Sequence, residues 1–236
     1  MSKSPTNQFK QIIPDVENFT QDETWRIFRI SSEFVDSFET MSAYRNLVTV
    51  FGSARTKKDS PVYQDCVRMG ELLVQHGYGV ISGGGPGIME ASNRGAIQKD
   101  GVSIGLNIKL PMEQHSNPYQ TESLYFRYFC IRKVCFLKYS TAAVAYPGGF
   151  GTLDELSEAL TMVQTRKVNR IPIALVGKKF WTPLLDWFRD TLLAEGMISP
   201  EDLDLYKVVD SADEAMEYIR VWHAKYGIPS TVKNQV

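Results

Sequence analysis

Tyr78-Gly79-Val80-Ile81-Ser82-Gly83-Gly84-Gly85-Pro86-Gly87-Ile88-Met89-Glu90 is the stretch on which the fold turns. A short run ending at Ile81 has strand character, four of the five residues 83–87 are glycine, and a helical pattern follows that Pro86 can open. Strand, glycine turn and helix in that order form the first part of a βαβ unit. The same grammar occurs twice more. Leu47 to Phe51 reads as a strand and runs into Gly52-Ser53-Ala54-Arg55. Ala142 to Tyr146 reads as a strand and runs into Pro147-Gly148-Gly149-Phe150-Gly151-Thr152-Leu153-Asp154-Glu155.

Working outward, Val102 to Ile108 and Ile171 to Val176 are further strands, with a strand end at Val208 and Val209. Helical patterns lie near Val62–His76, Pro86–Lys99, Ile131–Tyr139, Leu153–Arg166 and Pro183–Ala194, and a closing helix covers Ala212–Trp222. This alternation predicts an α/β fold: a Rossmann-like, doubly wound parallel sheet with flanking helices, whose ligands bind at the C-terminal strand ends. Ahead of it, Trp25, Ile27, Phe28, Ile30, Phe34, Val35, Phe38 and Met41 recur at helical spacing and predict an added N-terminal helix. That stripe either covers one side of the main domain or joins a subunit interface. The expected organisation is a flexible tail over 1–18, the helix over 19–45, a Rossmann-like nucleotide-binding catalytic domain over 46–226 and a tail over 227–236.

The bulk numbers bound the function. With 26 Lys plus Arg against 27 Asp plus Glu and a net charge of -1, no global positive field draws nucleic acid or an anionic membrane. No apolar run approaches the roughly 20 residues of a membrane span, and residues 1–18 contain no leader-like apolar core. Cys66, Cys130 and Cys135 are an odd set without a CxxC pair, which points to a reducing, cytoplasmic setting. His76, His115 and His223 are scattered, so no metal site is expected.

Chemistry is expected at the three glycine junctions. At the first, Gly52 allows a tight turn, while Ser53 and Arg55 offer a hydroxyl and a guanidinium to an oxyanion; an ordinary turn with a solvated arginine is the plain alternative. At the second, Gly84, Gly85 and their neighbours place backbone N–H groups at a helix start, a natural anion site. The loop lacks both a Walker ending and the GxGxxG spacing, so a monophosphate or ribose fits it better than a triphosphate or a dinucleotide. Glu90 either faces that ligand or merely complements the helix dipole. At the third, Thr152-x-x-Glu155 has the spacing of a capping box, although three glycines in four positions exceed what a cap needs. Arg132-Lys133 adds two cations to an apolar stretch, which is either a solvated face or part of a site.

Taken together, Gly83-Gly84-Gly85-Pro86-Gly87-Ile88-Met89-Glu90, Arg132-Lys133 and Pro147-Gly148-Gly149-x-Gly151-Thr152-x-x-Glu155 resemble the signature of the Lonely Guy family, in order, within a region from about Asn46 to Val176. Members of that family were long labelled lysine decarboxylases. The resemblance implies release of a free base from a purine nucleoside 5′-monophosphate, without a cofactor, and a homodimer or larger homo-oligomer. By position it implies Arg132 and Glu155 as the catalytic pair, with Glu90 close to the ribose. It further implies that Gly148, Gly149, Gly151 and Thr152 hold the phosphate; with the junction readings, substrate contacts are also expected from Gly52, Ser53, Arg55, Gly84, Gly85, Met89 and Lys133. The GPGIME form, Asn107 to Pro111, and Glu113 to Pro118 resemble a longer bacterial group for which AMP is a common substrate, beside the cytokinin riboside monophosphates of the plant-type members.

An N-ribosidic bond breaks through a transition state with positive charge on the sugar, so a carboxylate, a positioned water and help for the leaving base are required. Glu155 is expected to orient the ribose and stabilise that charge, with Glu90 on the water, or the two exchanged. Three other readings compete. A pyridoxal-phosphate decarboxylase would need Lys133 as its lysine. A sensor or carrier of a pterin-type cofactor would bind without turnover. A DNA-processing role conflicts with the neutral charge.

Overall fold

A computed structural model describes residues 19–110 and 116–229, with side chains from Trp25 onward. The expected tail over 1–18, positions 111 and 113–115 of the two stretches likened to the longer group, and the end from residue 230 lie outside the described residues. The element order is α1 (Phe19–Met41), β1 (Leu47–Phe51), α2 (Pro61–Gln75), β2 (Gly79–Ser82), α3 (Ile88–Ile97), β3 (Ser103–Ile108), β4 (Glu122–Phe126), α4 (Phe129–Lys138), β5 (Ser140–Ala145), α5 (Phe150–Gln164), β6 (Ile173–Val176), α6 (Lys178–Trp187), β7 (Tyr206–Val209) and α7 (Ala212–Tyr226). A π-helical turn, Phe188–Leu193, extends α6, and a 3-10 helix, Pro200–Leu205, precedes β7.

The strands form one seven-stranded sheet in the order β4-β3-β2-β1-β5-β6-β7, and every pairing is parallel. The Rossmann-like α/β expectation therefore holds. Alternation along the strands divides the core into two layers. Val48, Val50, Val80, Ala142, Val144 and Ala174 face α2, α3 and α7, while Leu47, Phe51, Ile81, Ile104, Ala143 and Ile173 face α1, α4, α5 and α6.

Sequence periodicity missed β4. Its exposure alternates along an edge of the sheet, and only Phe126 is fully buried, so no continuous apolar run marks it. The adjoining aromatic residues separate accordingly: Phe126 fills the core, while Tyr125 and Phe129 remain half exposed. Two helix starts also differ from expectation. Pro86 lies before α3, which begins at Ile88, and Pro183 lies inside α6. On α1 the apolar stripe divides. Ile30, Phe34, Phe38 and Met41 pack on the core, whereas Trp25, Ile27, Phe28 and Val35 are exposed. Glu33 anchors the helix by accepting from the Arg127 N–H at 3.1 Å, and Tyr44 beyond its end donates to Glu122 at 3.1 Å.

Helices α2 and α3 cross at a glycine pair. A Cβ on Gly95 would coincide with the Val67 carbonyl oxygen, and one on Gly70 with the Ser92 carbonyl oxygen, so the two backbones are in contact. Neither backbone has room to yield. Gly95→Ala is expected to destabilise the protein by about 2–3 kcal/mol through overpacking, despite alanine's better helix propensity. Urea unfolding checks this, and an unchanged midpoint would show that the crossing tolerates a methyl group.

Candidate active site

The order of the strands reverses between β1 and β5, and the crevice beyond their carboxyl ends is where such sheets bind ligands. A cleft of about 720 Å³ opens there. Gly52, Ser53 and Arg55 line it from the end of β1, Met89 from α3, Arg132 from α4, and Gly149, Gly151, Thr152 and Glu155 from the start of α5. Phe51, Ile108, Leu110, Phe129 and Phe136 supply an apolar wall. The first and third junctions are thus neighbours, held together by the Ser53 N–H donating to the Pro147 carbonyl at 3.1 Å and the Tyr146 N–H to Phe51 at 2.9 Å.

Helix α5 begins with a backbone designed by its glycines. Among the described residues no side chain caps it and nothing lies within 4 Å of where a side chain would start at Gly149 or Gly151, and the first intrahelical bond runs from Leu153 N–H to the Gly149 carbonyl at 3.0 Å. The amides of residues 150–152 therefore precede the helical bonding and carry the positive end of the dipole. Helix α5 starts before Thr152, so Thr152 and Glu155 are not a capping box, and Glu155 is free for other work.

Glu155 is only 7% exposed. Its carboxylate lies 3.7 Å from an Arg132 terminal nitrogen, a distance for attraction without a hydrogen bond. Burial raises the carboxyl to about 7, and the nearby cations Arg132 and Lys133 only partly oppose that rise. Burial likewise lowers the Arg132 guanidinium, against the pull of Glu155 and Asp154. The guanidinium carbon lies 5.0 Å from the centre of the Phe129 ring and 5.4 Å from that of Phe136, and its buried Nε has no hydrogen-bond partner among the described residues. An acid near neutrality and an arginine with unused donors face the same cleft.

The second junction is placed differently from the sequence expectation. Gly83 and Met89 reach the cleft, but Gly84 and Gly85 do not line it. Their polar groups are held by side chains instead. Ser82 accepts from the Gly84 N–H at 3.0 Å, Gln120 donates to the Gly84 carbonyl at 2.9 Å, and Asn117 donates to the Gly85 carbonyl at 3.0 Å. Asn93 joins this set by accepting from Ser82 at 2.6 Å and from Asn117 at 3.0 Å, and Asn107 donates to Gln120 at 3.0 Å. The first amide of α3, at Ile88, donates to the Ser53 carbonyl at 3.0 Å, and Gly87 turns there at φ 66, where a Cβ would strike that same carbonyl. The loop is a rigid strut between β1 and α3. Gln120 and Asn93 carried no sequence signal, because isolated amides in loops and helices are usually solvated.

Glu90, Gly148 and Lys133 also lie outside the cleft lining. Glu90 is 6% exposed, accepts from Tyr63 Oη at 3.0 Å and pairs with Lys58 at 2.6 Å. Gly148 packs against Thr152 and the Ser53 amide. Lys133, the lysine a decarboxylase would require, is paired with Asp154 at 2.8 Å and Glu158 at 3.4 Å. Arg55 lines the cleft and has no ion pair among the described residues. Among those residues no group of His, Cys, Asp or Glu is arranged to hold a metal ion, and no helix is long and apolar enough to cross a membrane.

A seven-stranded parallel sheet with a cleft of about 720 Å³ at its switch point defines a Rossmann-like α/β protein. Residues 89–219 match the family described as possible lysine decarboxylase. The cytokinin riboside 5′-monophosphate phosphoribohydrolase LOG of Oryza sativa subsp. japonica is 31% identical over 186 residues, spanning 77% of this chain and 74% of that protein. The cytokinin riboside 5′-monophosphate phosphoribohydrolase LOG3 of Arabidopsis thaliana is 30% identical over 182 residues, spanning 76% and 82%. In fold, the Moco carrier protein from Chlamydomonas reinhardtii superposes with a TM-score of 0.56 at 22% identity, over 77% of this chain and 99% of that one. The chain belongs to the Lonely Guy (LOG) family.

Proposed function

We propose that this protein is a cytoplasmic phosphoribohydrolase that cleaves the N-glycosidic bond of purine nucleoside 5′-monophosphates to free base and ribose 5-phosphate. The observation that carries the reading is the pairing, in one cleft, of a buried carboxyl held near 7 with an under-bonded arginine, beside the open amide end of α5.

In this reading the phosphate sits on the amides at the start of α5, with the Thr152 hydroxyl, Ser53 and Arg55 around it. The base lies along Met89, Ile108 and Phe129. As the bond from C1′ to the base nitrogen breaks, its electron pair leaves with the base and positive charge grows on the sugar. Ionised Glu155 stabilises that charge and receives the proton of the attacking water, while Arg132 fixes the sugar and phosphate. A carboxyl near 7 suits this because it exchanges protons readily at neutral pH. The proton finally resides on the base. Glu90, held by Tyr63 and Lys58, orients the α3 side of the cleft. Homo-oligomerisation belongs to the same proposal, supported by the exposed Trp25, Ile27 and Phe28 and measurable by light scattering.

The test is to incubate the protein with AMP and with isopentenyladenosine monophosphate and to follow base and ribose 5-phosphate by chromatography. Release of base from either is expected, and the ratio of rates ranks the two. Binding without release from any purine or pyrimidine monophosphate would replace this reading with a carrier or sensor, the kind of role the Moco carrier's name describes for that protein.

A further inference from the structure

Lys133 follows Arg132 on α4, yet it does not line the cleft and its ammonium group reaches across to α5. It donates to Asp154 at 2.8 Å and lies 3.4 Å from Glu158 Oε2 as an ion pair without a hydrogen bond, and its side chain is 19% exposed. Asp154 immediately precedes Glu155, and Glu158 lies one turn beyond it. The bridge therefore spans the two helices at the point where Arg132 of α4 and Glu155 of α5 face each other at 3.7 Å without a hydrogen bond. Among the described residues no hydrogen bond joins Arg132 to Glu155, so their separation depends on how the helices are held.

We propose that Lys133 is a positioning residue: by gripping Asp154 and Glu158 it clamps α4 to α5 and sets the Arg132–Glu155 geometry, and it is not itself a phosphate ligand. The proposal rests on the hydrolase reading for its activity readout but not for its structural one. Magnitudes separate positioning from stability. Partly exposed ion pairs contribute only about 0–1 kcal/mol each, so removing the bridge leaves the fold intact. A displacement of about 1 Å at a reacting pair can reduce turnover about a hundredfold.

Four charged groups face Glu155: Arg132 and Lys133 from α4, and Asp154 and Glu158 from its own helix. The two cations lower its proton affinity and the two carboxylates raise it. Two variants therefore separate geometry from bare charge. Lys133→Met removes clamp and charge together. Asp154→Asn combined with Glu158→Gln removes the clamp but leaves the lysine charge in place.

The Glu155 side-chain carboxyl is titrated in the ligand-free protein by carbon-13 NMR, assigned by comparison with Glu155→Gln, and kcat and KM are measured in parallel. Lys133→Met is expected to move the Glu155 midpoint upward. The double variant is expected to move it downward. Both are expected to lose about tenfold to a hundredfold in kcat, with KM and inorganic-phosphate affinity within about twofold, and Lys133→Arg to recover most of the loss. Equal loss of phosphate affinity and turnover in Lys133→Met would overturn the proposal and make Lys133 a phosphate ligand. Normal kcat in the double variant would also overturn it, leaving only an electrostatic influence. If the wild type binds but does not hydrolyse, the hydrolase reading fails separately. The clamp is then judged by the Arg132–Glu155 coupling, read as the change in Glu155 midpoint caused by Arg132→Met. A smaller coupling in the double variant supports the clamp, and an unchanged one overturns it.

Discussion

Glu155→Gln is expected to lower kcat by about two to four orders of magnitude while leaving the protein folded, the range for loss of a group that transfers or receives a proton in the transition state. The amide retains the size of the side chain but can neither ionise nor take a proton from water. In the wild type, kcat/KM is expected to rise with pH toward a plateau above a midpoint near 7, and the variant to lose that limb. A rate that falls through the same midpoint would instead assign Glu155 as the acid that protonates the leaving base. Near-normal turnover in a folded variant would remove Glu155 from the chemistry.

The same substitution has an opposite effect on stability. The Glu155 carboxyl rises from 4.5 to about 7 on folding, chiefly through burial. A raised value means that the folded state binds the proton more tightly, so this contribution is fully present below about 4.5 and is lost as pH climbs through about 7. At pH 8 the ligand-free wild type therefore carries an ionised buried carboxylate at a cost of about 3 kcal/mol. Glu155→Gln should be more stable than wild type at pH 8 and similar at pH 4.5. Thermal unfolding across that range measures it, and parallel curves at all pH values would contradict a buried, raised carboxyl. Lower activity with higher stability is the signature of a group strained for function.

The second large effect is expected for Arg132→Met, which keeps an unbranched apolar side chain but removes the guanidinium that lies over the Phe129 and Phe136 rings. In the proposed reaction Arg132 fixes the sugar and phosphate, and a misplacement of about 1 Å at the reacting centre can cost about a hundredfold, so kcat/KM should fall by about two orders of magnitude. Removing the cation that lowers the Glu155 carboxyl should also move the pH limb further above 7. Arg132→Lys is expected to recover little, since a point charge cannot reproduce the planar donor fork. A variant that retained turnover but lost only nucleotide affinity would restrict Arg132 to ground-state binding.

Much of this was legible locally. Alternation between short β-branched runs and helical spacing depends only on residues a few positions apart, so it marked six of the seven strands; β4 escaped because an edge strand needs no apolar run. The Arg132, Thr152 and Glu155 candidates were visible as well. Their settings were not. Thr152-x-x-Glu155 matched a capping box until the start of α5 at Phe150 excluded it. The second glycine loop has the pattern of an anion site, but no local pattern records that Ser82 holds the Gly84 N–H or that the Ile88 N–H donates to Ser53.

By itself, the sequence determined the parallel α/β architecture, the glycine junctions and the residue types available for chemistry, because periodicity and turn propensity are properties of neighbouring residues. Tertiary structure alone decided which junctions meet. Placing β1 beside β5 brings Ser53 to Pro147 and sends the second loop into a strut, and burying Glu155 against Arg132 moves a carboxyl from the acid range to neutrality. Proximity and desolvation arise between residues far apart in the chain, where no local pattern records them.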